Sequence, residues 1–340
     1  MLSCLMLFAP SANRVYTQAT PRLAAAELAV TAPFASAVAP TSVAGVGYLA
    51  FEAATLGDAQ LAVLAMQSTM LGLFVREGDL LRPVELPSLL VMDDDLVSIP
   101  KYQGKTNELF TRLLLNVTLA QLSSQRAGQR LQVLDPLAGR GTTLLTAWTL
   151  GLDGFGVESD VRAFEQLAAY LKTYLRRKRL KHTAAVTPVR REGQLRGQRL
   201  DATVRLGETT EGAPTLELAV LTGDTINSAR LFGKKKFDAI VTDAPYGVVH
   251  GAGHQGRRDR SPADLLRTAI PVWAGQLKGG GALGISWNSY GLTREELADI
   301  LTDAGLTVCA GPEWLGFGHR VDQAIHRDLM VAARPRRDEA

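Results

Sequence analysis

The stretch FDAIVTDAPYG, residues 237–247, places a carboxylate, a proline and an aromatic ring at the end of an apolar run. Phe237, Ala239, Ile240 and Val241 read as a buried strand, which ends in Asp243-Ala244-Pro245-Tyr246-Gly247 instead of running on into a helix. An exocyclic amine of a nucleobase is a poor nucleophile because its lone pair is delocalised into the ring. Acceptors aimed at the amine hydrogens make it more nucleophilic while a methyl group is transferred to it. Asp243 and the adjoining Ala244 carbonyl supply two such acceptors, and Tyr246 can stack the base in line with the methyl donor. Read alone, the same residues also make a turn punctuated by Pro245 and Gly247.

A second stretch, LQVLDPLAGRGTTLL at 131–145, carries an apolar strand, an acid at its carboxyl end (Asp135), a loop containing Pro136, Ala138, Gly139 and Gly141, and a helix opened by Thr142. The crevice beyond the carboxyl ends of strands is where doubly wound sheets bind ligands, and glycines let backbone approach them. The next strand ends in Glu158, 19 residues after Gly139, where an acid can accept hydrogen bonds from a ribose diol. A further strand-like run ends at Asp224, where a carboxylate can meet an adenine amine. Taken singly, the glycines are tight turns and Glu158 and Asp160 are helix caps; at the ends of successive strands they favour a nucleoside-containing cofactor. The loop at 139–144, GRGTTL, lacks the third glycine of the dinucleotide pattern G-x-G-x-x-G, and a dehydrogenase would leave DAPYG without a role. Asp135-Pro136 suits S-adenosylmethionine, whose amino and sulfonium charges a carboxylate offsets.

DPLAGRGT resembles the cofactor loop, and DAPYG the D/N-P-P-Y motif, of amino-directed S-adenosylmethionine-dependent methyltransferases. More narrowly, the order KYQGKTNE, apolar helix, DPLAGRGT, DAPYG is similar to the THUMP-associated tRNA guanine-N2 methyltransferases, over about residues 98–334. The resemblance implies that Asp135, Gly139 and Gly141 hold the methionine part of the cofactor, Glu158 the ribose and Asp224 the adenine. It implies that Asp243 and Tyr246 hold the target base, and that Lys101 and Lys105 lie near cofactor or RNA. The family usually has proline where this chain has Ala244, which keeps the carbonyl acceptor and gives up rigidity. The implied fold is a class I methyltransferase Rossmann-like, doubly wound α/β sheet with an antiparallel last strand.

The elements that must hold these motifs follow from periodicity. Residues 1–95 read as a small α/β domain, a candidate diverged RNA-binding module, with strands near 4–8, 47–52 and 71–76 and helices at 21–30 and 58–68. Its first apolar run lacks the basic residues of a signal peptide and reads as a strand. Gly78-Asp79 and Arg82-Pro83 read as turns, and Met92-Asp93-Asp94-Asp95 as a linker. Residues 96–340 read as the catalytic domain, opened by an amphipathic helix capped at Thr106 and closed by two antiparallel strands at 306–310 and 325–333. Ten lysines and arginines between Lys172 and Arg199 read as a long helix end followed by a basic β-hairpin insertion near 176–222. Such a run either contacts phosphate or forms a solvated helix face.

After DAPYG, a glycine-rich loop carries His250, His254, Arg257, Arg258 and Arg260. The two histidines would need a helix to share a metal, which Gly251 and Gly253 oppose, so the loop reads as a substrate segment with phosphate-binding Arg257 and Arg258. No metal is expected. At 340 residues, 46% hydrophobic and 21% charged, the chain is not disordered, collagen-like or a disulfide-stapled miniprotein. Two cysteines, Cys4 and Cys309, and no apolar segment of about 20 residues point to an unanchored cytoplasmic protein. The net charge of +3 does not by itself announce a nucleic-acid partner. The expected partner is nonetheless RNA, with tRNA first. The alternatives are a DNA adenine-N6 or cytosine-N4 methyltransferase, and a non-catalytic RNA-binding protein with a decayed cofactor fold.

Overall fold

The computed structural model describes residues 1–336 apart from 12, 103, 124–129, 192–193, 208–214 and 247–260. The first unit runs β1 (Leu2–Phe8), α1 (Arg14–Thr31), β2 (Ser36–Val43), β3 (Val46–Ala53), α2 (Asp58–Met66), β4 (Met70–Glu77) and β5 (Leu80–Val84). Its five strands form an antiparallel sheet in the order β2-β3-β1-β4-β5. β1 is central, and its Cys4, Leu5 and Met6 are buried. The Arg82-Pro83 turn expected from sequence is instead part of β5. Proline lacks a ladder donor and is tolerated there because β5 is an edge strand.

α3 (Asp95–Ser98) and α4 (Glu108–Leu119) lead into the second unit. Asn107, not Thr106, caps α4: its side chain accepts from the Leu109 and Phe110 amides, which leaves the Thr106 hydroxyl for another use. There follow β6 (Gln132–Asp135), α5 (Thr142–Thr149), β7 (Asp153–Glu158), α6 (Val161–Arg177), β8 (His182–Arg191), β9 (Gln194–Arg205), β10 (Thr215–Thr222), α7 (Ser228–Phe232) and β11 (Phe237–Asp243). The chain then continues through α8 (Pro262–Gln276), β12 (Leu277–Asn288), α9 (Arg294–Asp303), β13 (Thr307–Val308), β14 (His319–Arg320) and β15 (His326–Ala333). The order across the large sheet is β13-β15-β12-β11-β6-β7-β10-β9-β8, with β14 pairing β15. β10, β7, β6, β11 and β12 are parallel neighbours, and β15 enters antiparallel between β12 and β13.

β6, β7, β10, β11 and β12, followed by β13 and β15, take the positions of a class I methyltransferase sheet. The chain returns to the middle of that sheet before adding its outer strands, and its last long strand is reversed. Two expectations change. α6 ends at Arg177, and the hairpin is β8–β9, whereas Thr215–Thr222 is the third strand of the parallel core. Among its described side chains β8 has none that is fully buried, only half-buried positions alternating with exposed ones, so an apolar period did not mark it.

The two units share a core. Tyr16, Leu23 and Ala26 of α1 pack with Phe110, Leu113 and Leu114 of α4 and with Trp314 and Phe317. Between them Glu27 is fully buried and accepts from the Ser68 amide (3.0 Å) and from Asn116 Nδ2 of α4 (2.7 Å). Burial pushes the Glu27 carboxyl above its ordinary pKa, opposed by these donors.

Candidate active site

β6 and β11 lie side by side and parallel, so both motifs emerge at one edge of the sheet. They enclose a cavity of about 330 Å3. Asp135, Ala138, Gly139 and Thr142 line one side, and Asp243, Ala244, Pro245 and Tyr246 the other. Tyr102 and Arg140, which the sequence did not single out, also line it, as does Thr106, expected there only as a helix cap.

Asp135 is 2% exposed and accepts from the Thr242 hydroxyl (2.8 Å) and the Leu137 amide (3.1 Å). Burial pushes its carboxyl up to about 7, against the pull of those donors and with Asp243 adding to the rise. Gly139 and Gly141 both take left-handed backbone (φ +52° and +82°). At Gly141 a Cβ would also lie 2.7 Å from Leu167 Cδ1, so α6 packs where a side chain would be. Glu158 sits behind the loop: one of its oxygens accepts from the Gly139 amide and the other from the Asp160 amide, each at 2.6 Å. Burial raises its pKa, while these amides act to lower it.

Asp243 is held by three hydroxyl groups. Tyr246 and Ser286 donate to Oδ1, and Thr106 donates to Oδ2. Ser286 is the register partner of Asp243 on β12, and its carbonyl also accepts the Ala244 amide at 2.8 Å. A carboxylate has about four acceptor positions, so one remains, on Oδ2. The Tyr246 hydroxyl accepts from Arg327 Nε (2.6 Å), and the guanidinium lies 5.1 Å from the Tyr246 ring centre and 4.7 Å from that of Phe110. Burial of Tyr246, then the Asp243 charge, holds its hydroxyl well above the ordinary range, so it stays a donor. Burial opposes the charge on Arg327, but Asp243 and Tyr246 outweigh it and raise its pKa.

The remaining expected residues lie off the cavity wall. Asp224 caps a short turn by accepting from the Ile226 amide at 3.2 Å. Lys105 turns to the Val97 carbonyl (2.7 Å), and Lys101 is exposed. Pro136 and Gly141 shape the loop without lining the cavity. Arg257, Arg258, His250 and His254 lie outside the described residues. Asn288 Nδ2 braces the Tyr246 carbonyl (3.3 Å), while Trp287 is buried packing. Among the described residues no group of three His, Cys, Asp or Glu side chains could hold a metal, and no helix is long and apolar enough to cross a membrane.

The residues present fit S-adenosylmethionine. The buried Asp135 offers a countercharge, the glycine loop brings backbone close to the cavity, and Glu158 has both oxygens fixed as acceptors with a further lone pair on each.

The sequence matches no protein-family model, and no curated protein matches it. Solved structures do. TrmN from Thermus thermophilus aligns over 98% of this chain and 100% of its own at 13% identity and TM-score 0.44. A TehB-like SAM-dependent methyltransferase from Corynebacterium glutamicum aligns over 62% of this chain and 83% of its own (13% identity, TM-score 0.36). A putative methyltransferase from Streptococcus mutans, solved in complex with SAH, aligns over 60% and 88% (11% identity, TM-score 0.35). These likenesses are distant; the strand order defines the class, which is that of the class I methyltransferase fold.

Proposed function

We propose that the protein transfers a methyl group from S-adenosylmethionine to an exocyclic amine of a nucleic-acid base, guanine N2 in tRNA being the first expectation. The observation that carries this reading is the hydroxyl cage around Asp243, which leaves one acceptor position on a carboxylate that lines the cavity together with Ala244. S-adenosylmethionine supplies an electrophilic methyl group on a sulfonium sulfur. Asp135 and the Gly139–Gly141 loop would hold its charged methionine end, with Glu158 taking the ribose hydroxyls and Asp224 the adenine edge.

Asp243 Oδ2 and the Ala244 carbonyl would accept the two amine hydrogens and aim the nitrogen lone pair at the methyl group. Tyr246, with its hydroxyl tied to Asp243 and Arg327, presents its ring at the cavity wall where the base would lie. Asp243 Oδ2 would take up the amine proton displaced on methylation and pass it to water. In this reading residues 1–95 form a delivery unit for RNA that packs on the catalytic domain, 96–340.

The test is mass spectrometry of nucleosides from tRNA, rRNA and genomic DNA of wild-type and deletion strains. Loss of N2-methylguanosine from tRNA is the expected outcome. Loss of N6-methyladenine or N4-methylcytosine from DNA would move the activity to DNA, and no change in any pool would refute methylation of nucleic acid. In the purified protein, Asp243→Ala should abolish turnover and leave S-adenosylmethionine affinity within a few-fold; equal loss of both would overturn the role of Asp243.

A further inference from the structure

The ten basic residues between Lys172 and Arg199 are one run in the sequence, but the fold divides them between opposite edges of the large sheet. β10 runs parallel to β7, so its last residue, Thr222, lies beside Glu158 on the edge that carries both motifs. α6 leaves that edge and returns to the other. Arg176 and Arg177 in its last turn, with Arg179 and Lys181, therefore sit away from the cavity. β8 runs back from His182 and pairs antiparallel with β9, which pairs antiparallel with β10.

Along β9, Arg199 faces Leu221 and the Gln198 amide donates to Thr222 Oγ1 (2.7 Å), which marks the end of β10. The hairpin does not stop there. Its pairing continues from Pro188↔Gln198 to Arg191↔Gln194, three residues further along β8, or about 10 Å at roughly 3.4 Å per residue. Arg190 and Arg196, both exposed, lie on this overhang.

We propose that the overhanging tip of β8–β9 is a docking surface for the phosphate backbone of the nucleic-acid substrate, and that the helix-end half of the basic run takes no part in binding. The proposal rests on the nucleic-acid reading above. The charges at the helix end have a sufficient local reason. Cations are favoured at a helix C-terminus, and Lys178 there is engaged by Asp93 and Asp95, each at 2.6 Å. The tip stands on the catalytic edge. β9 lies four strand positions from β11, the strand of Asp243, or roughly 19 Å at about 4.8 Å per position. The tip therefore touches phosphates remote from the target nucleotide. It acts on substrate affinity and not on the transfer step.

The experiment compares three full-length proteins: wild type, the tip variant Arg190→Gln/Arg196→Gln, and the helix-end variant Arg176→Gln/Arg177→Gln. Methyl transfer to tRNA from the deletion strain is followed at several salt concentrations, with tRNA affinity from fluorescence anisotropy and S-adenosylmethionine affinity from calorimetry. The tip variant should raise KM and Kd for tRNA about tenfold, with kcat and cofactor affinity unchanged. Its log Kd against log salt should be shallower by about 0.7–0.9 per lost contact. The helix-end variant should match wild type. Equal losses in both variants, or an unaltered KM and salt slope in the tip variant of an active enzyme, overturn the tip assignment and leave the methyltransferase reading intact. A wild-type protein that neither binds nor methylates RNA or DNA overturns both.

Discussion

Thr106, Ser286 and Tyr246 each give Asp243 one hydroxyl donor, and this sets what single substitutions should do. Thr106→Val or Ser286→Ala removes one donor, worth about 1.5–3 kcal/mol for a bond to a charged group, so kcat should fall by roughly 10- to 150-fold. Cofactor affinity measured by calorimetry should stay unchanged. Asp135 makes a pH prediction. Its folded-state pKa of about 7 lies above the unfolded value of about 3.9. The folded form thus holds a proton that the unfolded chain has released, and its stabilising effect is present below pH 4 and lost as pH rises to about 7. Thermal melts of the cofactor-free protein should show this decline, and Asp135→Asn should flatten it. Binding of the cationic cofactor runs the other way, tightening between pH 6 and 8 as Asp135 ionises. Asp135, Gly139, Asp243 and Tyr246 could be read from sequence because each pair lies within one short motif. Thr106, Ser286 and Arg327 could not, since they come from three distant segments that meet only through strand register and the capping of α4 by Asn107.

At the level of elements, α4 lies unusually close to β12. A Cβ at Gly284 would fall 1.8 Å from Thr118 Oγ1, so glycine lets the helix seat against the strand next to the site. Gly284→Ala should cost about 1–3 kcal/mol by overpacking, seen as a lower urea midpoint. Thr118→Ala should restore part of the loss, because the clash is with its side chain. On the other side of α4, Asn116→Ala removes a donor from the buried Glu27 and should destabilise the fold by about 1–3 kcal/mol. The parallel core strands were legible because their buried apolar runs alternate with amphipathic helices such as α6, whose Phe164, Leu167, Leu171 and Leu175 are buried. β2, β5 and β8 were not, for exposed edge strands lack that contrast, and Pro83 gives β5 the look of a turn.

At the level of the whole molecule, the first unit supplies part of the second unit's wall. Tyr16, Leu23 and Ala26 cover Phe110, Trp314 and Phe317, so a fragment beginning at residue 96 should melt at lower temperature than the full chain and bind a hydrophobic dye. Tyr16 also meets His319 edge-on (6.2 Å), and burial holds that imidazole neutral with a pKa down to about 4. Behind Tyr246 there is therefore a guanidinium from β15, the last strand, close enough to Tyr16 of α1, the first helix, for the two to interact electrostatically. On the ribosome, α1 emerges long before β15. The nascent chain can close the cofactor loop early, but it cannot set Tyr246 until β15 has emerged and inserted between β12 and β13.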